Sequence, residues 1–273
     1  MSQEKNSHEI YQSTIGVISI ATGDYINYWK DQVTSVDKHL FLEYQVQISL
    51  FTDQIVEAAS FAKSLSRVEV TVIEIPPLSW PAATLDRYEI FTEHWQDIKG
   101  DLIVYLDADM IVASDCGSEL MEEKWGEGVT LVAHPGYFRG RHPWKLRVRN
   151  PSVMLSDMKR RLKMEAGIGQ WERRRSSRAF VPKSARRNYV CGGVWMGNRE
   201  PLRELISLLA RRTQEDHGSG IIARWHDESH LNWWASTHSH RLLPPEYCFD
   251  ESRNYLQHLQ PKIIAVDKGA LHR

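Results

Sequence analysis

The chain has 273 residues, 42% of them hydrophobic, with 34 Lys and Arg residues against 35 Asp and Glu residues. This length and composition indicate a globular protein of one large domain or two small ones, and the formal net charge of −1 argues against binding nucleic acid through overall charge. The charge is unevenly spread, because residues 139–187 hold sixteen Lys and Arg and three acidic residues, a net of +13, and the remainder therefore carries −14.

The sequence lacks the features of a membrane-spanning or exported protein. Its best apolar run, residues 15–21, is far shorter than the roughly 20 residues of a membrane span. Its first ten residues have neither the basic stretch nor the apolar core of a signal peptide. The isolated cysteines Cys116, Cys191 and Cys248 predict reduced thiols. We therefore expect a cytoplasmic protein without a transmembrane segment.

Strand-like and helix-like segments alternate along the chain. Short runs rich in Ile, Val and Leu predict strands, and longer segments with one apolar face predict helices. The predicted strands are residues 14–21, 45–52, 67–75, 101–106, 189–196 and 262–266. The predicted helices are residues 25–34, 81–99, 152–166, 200–214 and 227–235. This alternation predicts an α/β fold in which a mixed, mainly parallel central sheet has helices on both faces.

The basic segment, residues 139–187, has a different character. Residues 139–150 and 170–187 are polar, rich in Arg and without periodicity, which predicts mobile loops. Three interpretations stay open: loops that close over an anionic substrate, a solvated basic face, or a peripheral contact with anionic membrane lipid.

The first motif with chemical content is Asp107-Ala108-Asp109, directly after the predicted strand 101–106. Ligands of open α/β sheets bind beyond the carboxyl ends of the strands, where these acids would lie. Paired carboxylates suit Mg²⁺ or Mn²⁺ bound together with substrate phosphates. The alternative is an acidic turn that merely ends a buried strand.

The second motif is the polar and aromatic stretch at residues 225–232, WHDESHLN. His226 and His230 have the spacing of zinc-protease histidines, but Asp227 stands where that motif has Glu. A second interpretation is a carboxylate pair, Asp227 and Glu228, that faces a substrate. A third is an acidic helix start without further function.

Two further features point to a ligand. The glycines of Cys191-Gly192-Gly193 interrupt a predicted strand, which indicates either a β-bulge or the close approach of a ligand. Three of the ten tryptophans, Trp225, Trp233 and Trp234, lie around the carboxylate motif. Flat amphipathic rings match the faces of sugars, although core packing explains tryptophans equally well.

Taken in chain order, these motifs resemble glycosyltransferase family six, which includes the histo-blood-group A and B transferases and the α1,3-galactosyltransferases. The resemblance extends from about Ile15 to Lys268. The segments that carry it are HPG at 134–136, WERR at 171–174, AFVP at 179–182, WHDESHLN at 225–232 and PEYCFD at 245–250, with Asp107-Ala108-Asp109 at the position of the family's DxD.

The resemblance implies one nucleotide-sugar transferase domain of the GT-A type over residues 1–273. Residues 14–110 would form its nucleotide-binding half and residues 129–273 its donor-sugar and acceptor half. The implied reaction moves GalNAc or Gal from UDP-GalNAc or UDP-Gal, with retention, to a galactose-containing and optionally fucosylated acceptor on an oligosaccharide or glycolipid. The implied cofactor is Mn²⁺, or alternatively Mg²⁺, and no nucleic acid takes part.

The resemblance also assigns roles to single residues. Glu228 matches the catalytic carboxylate beside the anomeric carbon, and Asp107 and Asp109 match the metal ligands. The residues that match donor-binding positions are Ile20, Ala21, Thr22, Tyr25, Arg87, Asp107, Ala108, Asp109, Cys191, Gly192, Gly193, Asp227 and Lys268. The residues that match acceptor-binding positions are His134, Gln170, Trp225, Glu228 and Asp250. Small residues at 191–193 favour UDP-GalNAc, whose N-acetyl group needs room.

The chain departs from the mammalian members in three ways. We expect it to have no membrane anchor, the stretch between His134 and Trp171 is longer, and 185–188 (ARRN) replaces residues that are acidic in much of the family. The alternatives are a phosphohydrolase of the haloacid-dehalogenase type, in which strand-DxD also binds Mg²⁺, and a non-catalytic carbohydrate-binding protein. Met110 speaks against the first, since that motif usually continues with Thr.

Overall fold

The computed structural model describes residues 14–78, 81–121, 128–138, 148–152, 154–155, 158–159 and 167–266. The strands are β1 Ile15–Ile20, β2 Val46–Thr52, β3 Glu69–Glu74, β4 Leu102–Leu106, β5 Met110–Val112, β6 Val129–Ala133, β7 Val190–Asn198, β8 Arg241–Leu243 and β9 Ile263–Ala265. The helices are α1 Tyr25–His39, α2 Ile55–Ala62, α3 Ala82–Leu85, α4 Arg87–Glu93, α5 Arg199–Gly218 and α6 His226–Thr237.

Seven strands form the central sheet in the order β3-β2-β1-β4-β7-β6-β8. The first four are parallel, β7 runs antiparallel to both β4 and β6, and β8 is parallel to β6. Strands β5 and β9 make a separate antiparallel pair. The sheet is therefore mixed and mainly parallel, as the sequence predicts.

Helices cover both faces of this sheet, which explains why its inner strands are apolar throughout. Along β4, Leu102, Val104 and Leu106 point into the core beneath α1, whereas Ile103 and Tyr105 point into the core beneath α4 and α5. An α/β fold of the GT-A type is confirmed. Among the described residues, no helix combines the length and the apolar character needed to cross a bilayer.

The structure differs from the predicted elements where elements are short. The helix predicted at 81–99 is two helices, α3 and α4, that meet at Asp86 and are followed by a turn closed by the Asp97 N–H on the His94 carbonyl at 2.9 Å. Its predicted apolar face is nevertheless buried. Helix α2 and the strands β5, β6 and β8 were not predicted, since elements of three to eight residues carry too few repeats to show a period.

Part of the basic segment is described and is anchored to the body. Residues 167–189 are irregular apart from a 3₁₀ turn at Lys183–Ala185, and the mobility predicted for residues 139–150 and 170–187 stays a prediction. Trp171, Val181 and Tyr189 form a small buried cluster within it. The helix predicted at 152–166 is helical at 152, 154–155 and 158–159, and its other residues, like residues 139–147, lie outside the described part of the chain.

Candidate active site

The site is built at the carboxyl edge of β1 and β4, which lie side by side and parallel. Gln32 of α1 is buried there and donates to the Leu106 carbonyl at 3.3 Å and also to that of Asp107. Ser19 of β1 donates to the Gln32 side-chain oxygen at 2.8 Å. Since β1, α1 and β4 are joined by these bonds, the backbone that carries Asp107 is held in place before any ligand arrives.

Arg87 lies between two carboxylates at the centre of the site. Its guanidinium is 3.1 Å from Asp107 Oδ1 and 3.1 Å from Asp227 Oδ2, and its side chain is only 6% exposed. It also lies over the ring of Tyr105, 5.0 Å from the centroid. Burial opposes the charged form, but Asp107 and Asp227 together raise the pKa of Arg87 well above its ordinary value. One fixed cation therefore holds the end of β4 against the start of α6.

Asp227, in the first turn of α6, is itself buried. Burial raises the pKa of Asp227 to about 6, against the lowering effect of Arg87. The same helical turn receives the Tyr88 hydroxyl, which donates to the Asp227 carbonyl at 3.4 Å. The charge of Asp227 therefore depends on Arg87.

Glu228, the next residue of α6, is a partly exposed carboxylate of the site, with 21% of its side chain exposed. Its Oε2 accepts the Gly192 N–H at 2.9 Å and is 4.0 Å from Nε2 of His134. Burial raises the pKa of Glu228 to about 7, although Tyr189 and the Gly192 N–H lower it. A carboxylate with little water and few donors is poised to respond to positive charge that develops beside it.

His134 is held as a neutral imidazole with a defined tautomer. Its Nδ1 accepts the Gly136 N–H at 2.9 Å, so the proton sits on Nε2, the atom that faces Glu228. Burial lowers the pKa of His134 to about 4, and Arg253 adds to the effect. The HPG motif thus fixes a single N–H donor, His134 Nε2, on the side of the site that faces Glu228.

The glycines of β7 lie against these carboxylates. A Cβ at Gly192 would meet Asp227 Oδ2 and Glu228 Cβ at 3.3 Å, and one at Gly193 would meet the Met110 methyl at 2.4 Å and Asp107 Oδ2 at 3.0 Å. The β6–β7 register shifts here, so that residues 191–194 lie opposite Val132 alone. The irregular strand agrees with the β-bulge interpretation, and the groups that approach the glycines here are the site's own acids, so the approach of a ligand stays a prediction.

Asp107 and Asp109 are hard oxygen donors at an open edge of the sheet, which suits a divalent cation shared with phosphate oxygens. The hydrogen bond from Tyr105 and the ion pair with Arg87 both use Oδ1 of Asp107, whose side chain is 31% exposed. Within the described residues, no three His, Cys, Asp or Glu side chains cluster as a metal site.

The segment after β1 lies at the same edge. Ala21 is buried and its N–H donates to the Phe51 carbonyl at 2.9 Å, whereas Ile20 is half-buried. Thr22 donates to the Leu78 carbonyl at 3.3 Å. Tyr25, the first residue of α1, keeps 42% of its surface exposed. An exposed aromatic ring beside a rigid strand end is a suitable platform for a flat base.

Of the predicted acceptor-binding residues, Asp250 joins the His134 side of the site. Its carboxylate accepts from Arg253 Nε at 2.7 Å, and Arg253 in turn lies close to Gly136. Trp225, which precedes α6, is 48% exposed. Gln170 is half-buried and follows Gly169, which packs so tightly on the Tyr189 ring that a Cβ there would lie 2.3 Å from it.

Of the predicted donor-binding residues, Cys191 has its side chain apart from the site, and Lys268 cannot be placed. The Cys191 side chain is 3% exposed and lies in the core beside Cys248, so only its backbone is available to a ligand. Lys268 lies outside the described residues. All three cysteines are buried free thiols, as expected.

The zinc interpretation of the two histidines fails on geometry, because their imidazoles have unrelated partners. His226 contacts the Thr84 hydroxyl through Nδ1 at 3.1 Å. His230 is 1% exposed and its Nε2 lies 3.5 Å from Asp216. Trp234 is also buried, stacked on His238 at 4.7 Å, so it serves packing and not sugar binding.

Three residues of the site were missed in the sequence. Tyr105 and Tyr189 appear only as aromatic residues of strands, and nothing local shows which acid each would meet. Gln32 does leave a signal: it is a polar residue on the apolar face of α1, three residues after Trp29 and four before Val36, which indicates a buried polar group with a structural partner.

Tyr189 is the missed residue with the clearest expected effect on chemistry. Its hydroxyl is buried without a partner of full hydrogen-bond geometry among the described residues, and Glu228 is the charged group that acts on it most strongly. Burial, reinforced by that carboxylate, raises the pKa of Tyr189. The phenol therefore stays protonated and favours the ionised form of Glu228.

In Tyr189→Phe we expect the acid limb of the pH profile of kcat/KM to move to higher pH, because the pKa of Glu228 rises when the hydroxyl is lost. We expect kcat at neutral pH to fall by about tenfold or less. Tyr137→Phe is the matched control, since Tyr137 packs in the same cluster, 5.1 Å from the Tyr189 ring. An acid limb that stays in place would refute this role.

Glu172 ties the basic segment to the loop that precedes α6. Its carboxylate accepts the backbone N–H groups of Arg173 and Arg174 at 2.9 and 2.8 Å, that of Arg224 at 2.8 Å, and the Arg174 guanidinium at 2.8 Å. Burial opposes ionisation, but these donors lower the pKa of Glu172 to about 2. Arg174 is thus occupied by Glu172 in this structure.

This low pKa predicts a pH-dependent contribution to stability. Because the folded pKa lies below the ordinary 4.5, the contribution is present above about pH 4.5 and is lost as the pH falls toward 2. We expect Glu172→Gln to lower the free energy of unfolding by about 1–3 kcal/mol at neutral pH and by less at about pH 4. Glu215→Gln, whose carboxylate is 41% exposed, should cost about 1 kcal/mol or less. Thermal unfolding of both variants at the two pH values measures the difference.

Comparison with known proteins gives consistent matches. The sequence model of glycosyltransferase family 6 matches residues 4–147 and 163–270. Histo-blood group ABO system transferase 1 of Rattus norvegicus is 25% identical over 247 residues, which cover 89% of this chain and 63% of that protein. Globoside alpha-1,3-N-acetylgalactosaminyltransferase 1 of Gallus gallus is 28% identical over 251 residues, which cover 88% of this chain and 63% of that protein. O-antigen biosynthesis glycosyltransferase WbnI of Escherichia coli is 24% identical over 256 residues, which cover 93% of this chain and 94% of that protein.

The extent of these matches differs between relatives. The chain spans a little under two thirds of the length of the two animal proteins and nearly all of the bacterial one. The family match has one internal interval without a counterpart, residues 148–162, which lies within the basic segment.

Proposed function

This chain belongs to glycosyltransferase family 6, and on that premise we propose that it moves GalNAc or Gal from a UDP-sugar, with retention, to a galactose-containing acceptor. The acceptor would be an oligosaccharide or glycolipid, optionally fucosylated. Membership excludes the phosphohydrolase alternative. The observation that carries the proposal is the position of Glu228, which stays partly exposed while Arg87 binds Asp107 and Asp227 beside it.

Each half of the chain has a separate part in the proposal. Residues 14–110 would bind the nucleotide, with Thr22 and Tyr25 beside the uridine. Residues 129–273 would bind the donor sugar and the acceptor. Asp107 and Asp109 would hold Mn²⁺ or Mg²⁺, which when bound supplies Lewis-acid stabilisation of the leaving diphosphate.

Glu228 would act on the sugar as the bond to UDP breaks. Positive charge then develops at the anomeric carbon, and a carboxylate beside it stabilises that charge, as a nucleophile in two steps or as an electrostatic partner in one. Arg87 and the Gly192 N–H keep the neighbouring carboxylates in place, so no reorganisation is needed during the reaction. The acceptor would be oriented by His134, Asp250 and Trp225, and Gln170 would lie at the edge of this acceptor site.

We infer a preference for UDP-GalNAc from the small residues at 191–193, which match the segment that contacts the C2 substituent of the donor sugar in the family. Shape discrimination of an N-acetyl group is worth about 1–3 kcal/mol. One relative named above is a globoside alpha-1,3-N-acetylgalactosaminyltransferase, which supports the same donor class. The cytoplasmic location expected from the sequence also belongs to this proposal.

A donor panel tests the function. The protein is incubated with UDP-GalNAc, UDP-Gal and UDP-Glc, with Mn²⁺ or with EDTA, in the presence of a fucosylated galactoside. We expect transfer with the first two donors and loss of activity with EDTA. Activity that survives EDTA undiminished would refute the metal assignment. A tenfold or greater preference for UDP-Gal would refute the donor preference. Sugar binding without turnover of any donor would favour a carbohydrate-binding protein.

A further inference from the structure

Exposed apolar side chains are concentrated in one short stretch of the chain. Among the described residues, nine large hydrophobic side chains are exposed, and four of them lie between residues 148 and 158. They are Val148, Met154, Leu155 and Met158, with exposed fractions of 73, 52, 47 and 58%. Scattered single apolar residues need no explanation, but such a concentration marks a surface that contacts something else.

Local structure presents part of this stretch on one side. Asn150 begins a helical turn, because its side chain accepts the Ser152 N–H at 3.1 Å and its carbonyl accepts the Met154 N–H at 3.2 Å. Of the residues between 151 and 159, all those that the structure describes are helical. At helical spacing Met154, Leu155 and Met158 share a face, since positions i, i+1 and i+4 lie within one broad stripe.

Basic residues accompany this apolar stripe. Arg149 and Lys159 are exposed at its two ends. The surrounding sequence from 139 to 187 carries sixteen Lys and Arg against three acidic residues. An apolar stripe with basic flanks is the composition of elements that lie in the interface of anionic bilayers.

The stripe belongs to this chain and not to the family in general. Residues 148–162 are the internal interval that the family model leaves unmatched, whereas the residues of the candidate active site lie in the matched blocks. An insertion that exposes Met and Leu is costly for a chain that otherwise buries such residues, and the cost is understandable if a partner covers them.

We propose that Val148, Arg149, Met154, Leu155, Met158 and Lys159 form a docking surface for anionic lipid bilayers. The apolar side chains enter the boundary between headgroups and acyl chains, and the basic ones meet the lipid phosphates. The charge of the basic segment favours an anionic bilayer over a second copy of this chain as the partner of this surface. A second copy of this chain would bring two strongly basic segments together, which like-charge repulsion opposes, whereas an anionic bilayer attracts them.

Vesicle sedimentation tests the proposal with the full chain and without any transferase assay. The protein is mixed with vesicles of phosphatidylcholine alone or with about 30% phosphatidylglycerol. We expect binding to the anionic vesicles, at least about tenfold weaker binding to the neutral ones, and a loss of binding as salt is raised. Equal binding to both vesicles, or binding to neither, would overturn the proposal.

Variants separate the apolar and the basic contributions. Met154→Ser combined with Leu155→Ser and Met158→Ser should reduce binding to anionic vesicles by about tenfold or more, and Arg149→Glu with Lys159→Glu should do the same. Val56→Ser is the matched control, because Val56 is 85% exposed on α2, outside the stripe, and its loss should leave binding unchanged. Thermal unfolding of each variant confirms that it folds.

A second measurement tests whether a second copy of this chain covers the stripe instead. Light scattering of the free protein should give a monomer mass for the parent and for the triple serine variant. A dimer that the triple variant splits, together with unchanged vesicle binding, would assign the stripe to self-association and overturn the proposal.

Discussion

Replacing Glu228 by Gln should lower kcat for sugar transfer by about a thousandfold or more. The carboxamide can still accept the Gly192 N–H at the same position, so the local fold should persist. What disappears is the negative charge that faces the developing positive charge of the sugar. Transfer and hydrolysis of the UDP-sugar should therefore fall together, while donor binding measured by calorimetry changes little.

Two controls make this result specific. Glu89→Gln alters a half-buried acid on α4 whose carboxylate accepts from the Gln214 side chain at 2.7 Å, and it should retain full activity. Glu228→Asp keeps the charge but withdraws it from the Gly192 N–H, and its activity should lie between parent and Gln variant. Wild-type rates of both transfer and hydrolysis in Glu228→Gln would show that the catalytic group lies elsewhere.

Replacing Arg87 by Met should damage both stability and activity, because it leaves two carboxylates facing each other without their shared cation. Removing one partner of a buried ion pair typically costs about 3–5 kcal/mol of unfolding free energy. The pKa of Asp227, already raised by burial, should rise further without Arg87. The stability deficit should therefore be largest above neutral pH and smaller at about pH 5, where Asp227 takes up a proton.

A double variant separates the two effects of Arg87. Arg87→Met with Asp227→Asn removes one negative charge as well as the cation, so it should recover much of the unfolding free energy but not the activity. Denaturant unfolding and donor turnover of the two variants measure this split. A double variant no more stable than Arg87→Met would show that the guanidinium acts through packing and not through the acids.

The position of the acids could be predicted from the sequence because it follows from one local rule. Asp107 and Asp109 come directly after an apolar strand, and strand ends of a parallel sheet share one edge. Similarly, the apolar runs that became β1, β2 and β4 were recognisable because they are buried on both faces.

The contacts between distant parts of the chain could not be predicted in the same way. Arg87 meets Asp227 across 140 positions of sequence, and Tyr189, directly before β7, is acted on by Glu228 of α6. The basic segment shows the same limit: its irregularity follows from its composition, but the burial of Glu172 depends on Arg224, 52 residues away. Such partners emerge only once the sheet order is known.

The two glycines of β7 have a consequence for how this protein could change its sugar preference. The Gly192 N–H binds Glu228, and the Gly193 carbonyl accepts the Asp107 N–H at 2.9 Å. A new side chain at either position would press on an acid of the site before it reached a sugar. Donor choice and turnover are therefore mechanically coupled at this dipeptide. Variants selected for a new sugar at these positions should have a lower turnover rate. A change of donor without loss of turnover would have to come from substitutions elsewhere in the site.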